Sequence, residues 1–161
     1  DYYCDWSSDV CSSDLRARPG DAILVSGSIG EHGVAIMSKR EGLEFETEIL
    51  SDSAALHGLV AQMLAVAPDL RVLRDPTRGG LATTLNEIAG QSGVGMLLDE
   101  AAIIVQPQVE AACELLGLDP LYIANEGKLI AICAEEDAQP LLDCMRRNPF
   151  GRTCGTYRHG A

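Results

Sequence analysis

An α+β fold, with helices packed against a mixed sheet, is predicted by three features of this chain. Short apolar runs alternate with stretches in which apolar residues fall at helical spacing. Glycine and proline punctuate most of the boundaries between them. Hydrophobic residues make up 47% and charged residues 22% of the 161 positions, enough apolar side chains for a core and too many for a disordered chain.

Ala22 to Val25 reads as a strand that enters the glycine-rich turn Ser26-Gly27-Ser28-Ile29-Gly30. Glu31 to Arg40 carries Val34, Ile36 and Met37 and predicts a short helix. Glu41 to Glu48 is polar and acidic, which predicts an exposed loop or edge. Ser51, Asp52 and Ser53 offer helix N-caps. Leu56, Leu59, Val60, Met63 and Leu64 then recur at helical spacing, and Pro68 closes that element.

Leu70 to Leu73 predicts a strand running into Arg74-Asp75-Pro76-Thr77-Arg78-Gly79-Gly80. The next helix sets Leu81, Leu85, Ile88 and Ala89 on one face and stops in Gly90 to Gly95. Met96 to Leu98 and Ala102 to Val105 read as strand pieces around Asp99-Glu100. Pro107 opens and Gly117 closes a helix marked by Val109, Ala112, Cys113 and Leu116. Asp119 to Gly127 is a loop or single turn, and Leu129 to Cys133 a strand. Ala138, Leu141, Leu142 and Met145 mark a last helix, and Thr153 to His159 a strand cut short. These helices are amphipathic and must bury a stripe on the sheet. A sheet covered mainly on one side would leave its other face for a neighbouring domain.

Residues 1–15, DYYCDWSSDVCSSDL, stand apart. They hold four aspartates, no Lys or Arg and the only Trp, with neither helical nor strand periodicity. One choice of codons for Asp5 to Leu15 reads as the end of a common sequencing adapter. We expect a non-native leader with natural sequence beginning near Arg16; a natural polar leader is the alternative. The polar, acidic start does not read as a signal peptide.

Twelve basic residues against 24 acidic ones give a formal charge of −12. That balance argues against nucleic acid and against an anionic membrane surface as partners, since both need clustered Lys and Arg. No apolar run approaches the roughly 18 residues that cross a bilayer. Beyond the leader, Cys113, Cys133, Cys144 and Cys154 form no C-x-x-C pair, and no His sits at zinc-ligand spacing from them. Buried free thiols and a reducing cytoplasm are the expectation, and no metal site is expected in this chain.

Three segments carry candidate chemistry. In Asp75 to Gly80 a strand leads through two glycines into a helix, where orphan N–H groups and the helix dipole favour an anion. Arg78 adds a fork of donors for phosphate oxygens. Alternatively Asp75 or Thr77 merely caps the helix. In Ala124-Asn125-Glu126-Gly127-Lys128 a carboxylate, an amide and an amine are bunched before an apolar strand. Glu126 could serve as a general base with Lys128 neutralising charge, or the segment could be an ordinary turn. Gly27 to Gly33, with His32, could line a phosphate path or only bend the chain. His57 and His159 read as structural or surface residues, and Glu44, Glu46 and Glu48 as a solvated face. No Gly-x-Ser-x-Gly elbow supports a hydrolase triad.

Taken together and in order, Gly27 to Gly33, Ser51-Asp52-Ser53, Arg74 to Thr83, Gln91 to Gly95, Cys113 to Leu118 and Asp119 to Leu129 resemble the HypE family of hydrogenase maturation factors. The resemblance runs from about Gly20 to the end. It implies the C-terminal domain of the aminoimidazole ribonucleotide synthetase-like fold. Residues 16–26 would then be the end of an N-terminal ATP-binding domain or a junction, and 27–161 the C-terminal α+β domain, truncated before its final tail.

The resemblance further implies an ATP-dependent carbamoyl dehydratase. HypF places a carbamoyl group on a C-terminal cysteine. ATP and magnesium then activate the carbamoyl oxygen, a protein thiocyanate forms, and the HypC–HypD complex takes the cyano group for the iron of [NiFe]-hydrogenase. By motif, Glu126 takes part in proton removal, with Asn125 and Lys128 beside it. Asp75, Thr77, Arg78, Gly79 and Gly80 face the ATP phosphates, and His32 sits at the domain junction. Magnesium ligands, most ATP contacts and the homodimer surface belong to the N-terminal domain, which this sequence lacks. The family's Pro-Arg-Ile-Cys tail is missing too, and none of the four cysteines matches the carbamoyl acceptor. The polypeptide alone is therefore expected to be inactive. The alternatives are another ATP-dependent superfamily enzyme acting on a small substrate, and a non-catalytic docking module.

Overall fold

The computed structural model describes residues 16–42 and 49–158. The leader, Glu44, Glu46 and Glu48, and His159 lie outside the described residues. In chain order the elements are β1 (Ala22–Val25), α1 (Glu31–Glu41), α2 (His57–Val66), β2 (Val72–Arg74), α3 (Gly80–Ser92), α4 (Pro107–Leu116), β3 (Ile130–Cys133), α5 (Glu135–Arg147) and β4 (Gly155–Arg158). Single 3-10 turns occupy Glu100–Ala102, Pro120–Tyr122 and Pro149–Gly151.

The strands form one sheet in the order β2-β3-β1-β4. Its three ladders are antiparallel, with Val25 opposite Ile130, Ala22 opposite Arg158 and Val72 opposite Ile132. The α+β architecture is as expected, but the pairing is antiparallel rather than mixed. The cause is topological. β1 and β2 run in the same direction, as a strand-helix-strand alternation suggests, yet β3 inserts between them to make a split β-α-β arrangement. Residues 16–26, expected at the end of a preceding domain or at a junction, include β1, which lies between β3 and β4 in this sheet.

Both faces of the sheet are covered. Ala22, Leu24, Ala131 and Cys133 pack on Leu59 and Met63 of α2 and on Leu141, Leu142 and Met145 of α5. Ile23, Val25, Val72, Ile130 and Ile132 pack on Leu81, Leu85 and Ile88 of α3. Sheets buried on both faces read as unbroken apolar runs, which is why β1 (AILV) and β3 (IAIC) show no alternation. Among the described residues the sheet is thus not covered mainly on one side, and neither face is left open. Met96 to Leu98 and Ala102 to Val105 do not form strands of the sheet. Val94, Met96, Leu98, Ala102, Ile103 and Val105 lie over it instead and close the second core. Asp99 accepts from the Ala101 N–H at 3.1 Å and turns the chain there. A third cluster, with Val34, Val109, Ala112, Cys113 and Ile123, joins α1 to α4.

Cys113, Cys133, Cys144 and Cys154 are free and buried. Burial, reinforced by Asp137, Asp21 and Glu135, pushes the Cys133 thiol up to about 12. Burial also raises Cys113 and Cys154. No helix among the described residues is long and apolar enough to cross a membrane.

Candidate functional site

The loop between the Pro120–Tyr122 turn and β3 carries Asn125, Glu126 and Lys128. Asn125 is fully buried. Its Oδ1 accepts from the Gly30 N–H at 2.8 Å. Its Nδ2 donates to the Ile123 carbonyl at 2.9 Å and to the Pro76 carbonyl at 3.3 Å. Its backbone N–H donates to the same Pro76 carbonyl at 3.2 Å. One amide thus ties together the Gly27–Gly33 turn, the Asp75–Gly80 loop and its own loop. A buried amide is retained only when its donors and acceptors are met. Asn125 meets them with main-chain groups, which fixes its side chain in place.

Gly80 seals the same junction. Its φ of +67° favours glycine, and a Cβ there would lie 2.5 Å from the Leu121 carbonyl oxygen. The Asp75–Gly80 loop is thereby pressed against residues 121–123. The two bends that the sequence marks out separately are neighbours in the fold.

The Asp75–Gly80 loop opens a groove of about 190 Å³ lined by Arg74, Asp75, Thr77, Arg78, Gly79, Thr83, Thr84 and Glu87. It lies at the N-terminus of α3, where no side chain caps the helix. First-turn N–H groups without a side-chain cap and an exposed arginine suit a phosphate. Arg74 is turned toward Glu87 at 3.2 Å on one wall. Asp75 and Arg78 are exposed and Thr77 is half-buried. Among the described residues, no three His, Cys, Asp or Glu side chains group as a metal ion requires.

Glu126 is exposed, whereas Lys128 and its partner are not. Lys128 Nζ lies 3.2 Å from Asp52 Oδ2, and the two side chains are 13% and 4% exposed. Asp52 Oδ1 accepts from the Glu126 N–H at 3.2 Å. Gly127 lies so close to the Asp52 carbonyl that a Cβ there would overlap it. Asp52 is therefore part of the site, a role the sequence reading missed. Ser51 to Ser53 do not cap α2 as expected. α2 begins at His57 after Leu56, with no side-chain cap. The available signal was distance, since an N-cap directly precedes the first helical residue and Ser53 stands too far upstream.

His32, on α1, joins the same group. Its Nδ1 is 2.8 Å from Ser51 Oγ, and Ser51 Oγ accepts from the Ser53 N–H at 3.3 Å. Beside it, His32, Gly33, Ile36, Met37, Tyr122, Ile123 and Ala124 line an open apolar hollow of about 310 Å³. Asn125, Glu126, Lys128 and the Pro76 backbone thus form one unit. His32 reaches it through Ser51, and Arg78 lines the groove at the Asp75–Gly80 loop.

Residues 18–156 match the family model for AIR synthase related protein, C-terminal domain. The chain is 79% identical over 136 residues to the carbamoyl dehydratase HypE of Cupriavidus necator, an overlap of 84% of this chain and 39% of that protein. It superposes on the crystal structure of hydrogenase maturation protein HypE in complex with ATP with a TM-score of 0.87 and 53% identity. That overlap covers 91% of this chain and 44% of the other. On the crystal structure of a HypE–HypF complex the TM-score is 0.88 at 42% identity, covering 91% and 48%. The HypE resemblance read from the sequence is borne out by these matches. The chain spans about 40% of the length of the curated relatives it matches.

Proposed function

This chain belongs to the AIR synthase related C-terminal domain family, and from that premise we propose that it is the C-terminal part of an ATP-dependent carbamoyl dehydratase of [NiFe]-hydrogenase maturation. In this reading the parent protein converts a C-terminal cysteine S-carboxamide into a thiocyanate. ATP supplies a phosphoryl group that turns the carbamoyl oxygen into a leaving group. The oxygen departs as phosphate, the nitrogen loses two protons, and a carbon–nitrogen triple bond remains.

Each residue has a separate task. Arg78 and the N–H groups at Gly79 and Gly80 hold phosphate oxygens at the mouth of α3, with Asp75 and Thr77 shaping the loop. Glu126 takes a proton from the carbamoyl nitrogen. Asn125 holds the loops together rather than touching substrate, because its amide is committed to main-chain partners. Lys128 holds the Asp52 side chain through their ion pair, and His32 steadies the segment that carries Asp52. Magnesium, most contacts to ATP and the homodimer contact are assigned to the preceding domain of the parent protein. HypF is the carbamoyl donor, HypC–HypD the cyano acceptor and the cytoplasm the place of action.

The observation that carries this reading is the Asn125 clasp. It brings the anion-binding loop and the Glu126 loop side by side, as phosphorylation and deprotonation of one small group require. The test is a chimera in which residues 18–156 replace the matching segment of the Cupriavidus necator relative. With a carbamoylated terminal cysteine and ATP, mass spectrometry should show loss of one water. Glu126→Gln should slow that step by about 100-fold or more, with ATP binding retained. An E126Q chimera as fast as its parent refutes the assignment.

A further inference from the structure

We propose that Asp52 is a positioning residue for Glu126, acting as a strap that sets the direction of its carboxylate; this rests on the dehydratase reading above. Asp52 touches three consecutive residues of the Glu126 loop. Its Oδ1 accepts from the Glu126 N–H at 3.2 Å, its carbonyl lies against Gly127, and its Oδ2 is 3.2 Å from Lys128 Nζ. An exposed carboxylate in a loop has no packing to aim it. The backbone that carries it must then be fixed from outside, and here a side chain 4% exposed does so.

Asp52 itself is not the base. Its Oδ1 accepts from the Glu126 N–H, its Oδ2 faces Lys128 Nζ as an ion pair without a hydrogen bond, and its side chain is shielded from a substrate. The strap is anchored at its other end. Ser51 Oγ lies 2.8 Å from His32 Nδ1 on α1 and accepts from the Ser53 N–H. Thus α1, the Ser51–Ser53 segment and the Glu126 loop form one chain of contacts. Lys128 belongs to it by charge. A carboxylate that deeply buried needs a partner, and losing one member of such a pair strands the other.

The test compares Asp52→Ala with Asp52→Asn in the chimera. Asparagine keeps an oxygen for the Glu126 N–H and gives up only the charge opposite Lys128. D52A should lower kcat for dehydration roughly 10- to 100-fold, the penalty for slight misplacement of a reacting group. KM for ATP should stay the same, since the phosphate groove has its own residues. D52N keeps the acceptor for the Glu126 N–H but strands the Lys128 charge, so it should recover part of the lost rate. Amide hydrogen exchange supplies a readout that does not need activity: the Glu126 N–H should exchange faster in D52A and stay protected in D52N. A D52A chimera with undiminished kcat, or with Glu126 protection intact, overturns the strap. Equal loss of rate in D52A and D52N also overturns it, because the shared hydrogen bond would then be irrelevant. An unmutated chimera that cannot dehydrate the carbamoyl group overturns instead the reading on which the strap rests.

Discussion

Replacing Asn125 with alanine should unfold the site from within. The side chain makes three hydrogen bonds, all to main-chain groups and all away from water. Pro76 keeps one donor, because the backbone N–H of residue 125 still reaches its carbonyl. The Gly30 N–H and the Ile123 carbonyl each lose the partner that the amide supplies. An orphaned buried polar group costs roughly 1–3 kcal/mol, so the two together cost about 3 kcal/mol. For a chain of this size that corresponds to a fall of about 10 °C in Tm. Thermal and urea unfolding of the chain followed by circular dichroism measures both quantities. Asn125→Asp is the sharper variant. It preserves volume and the acceptor for Gly30, but turns an oxygen toward the Pro76 and Ile123 carbonyls. It should destabilise at least as much as N125A. If N125A costs less than about 1 kcal/mol, or if N125D is as stable as the parent, the clasp does not hold these loops.

Gly127→Ala should be worse than an ordinary glycine substitution, because its new methyl group meets the Asp52 carbonyl; a loss well above the roughly 1 kcal/mol of a backbone effect, read from urea midpoints, is the expected result, and a neutral G127A contradicts the close approach. The buried Cys133 thiol makes stability fall at high pH. The unfolded chain ionises near the ordinary value of 9.0, the folded one only near about 12, so the folded state holds the extra proton between them. The Cys133 contribution should be constant below pH 9 and be lost from there toward pH 12, and Cys133→Ala should lessen, though not abolish, the decline in urea titrations across this range, because Cys113 and Cys154 are raised too.

The sequence exposes β1 and β3 readily, because AILV and IAIC are unbroken apolar runs and the helices around them carry clear stripes. It also marks where α3, α4 and their ends fall, through Gly79, Gly80, Pro107 and Gly117. It does not reveal that β3 slips between β1 and β2, since strand order depends on which faces meet after the chain has folded back. The stretch from Val94 to Val105 misleads for a related reason: its apolar residues satisfy burial by lying across the sheet as well as by joining it. In the site, the Glu126 and Arg78 loops stand out by composition. Their junction does not, because nothing in Ala124-Asn125-Glu126 says that the amide is buried and the carboxylate exposed. Asp52 escapes notice since its partners, Glu126 and Lys128, are distant in sequence and a Ser-Asp-Ser triplet has a more local use.

The place of β1 has a consequence for biosynthesis. Ala22 to Val25 leaves the ribosome long before Ile130 to Cys133 and Gly155 to Arg158, the two stretches that flank it. Until then four apolar residues present unpaired amide and carbonyl rows on both sides, the surface on which nascent chains stick to one another. Release from that hazard comes only with β4, so synthesis that stalls before Gly155 leaves a polypeptide in which β1, an interior strand of the finished sheet, is still an open edge.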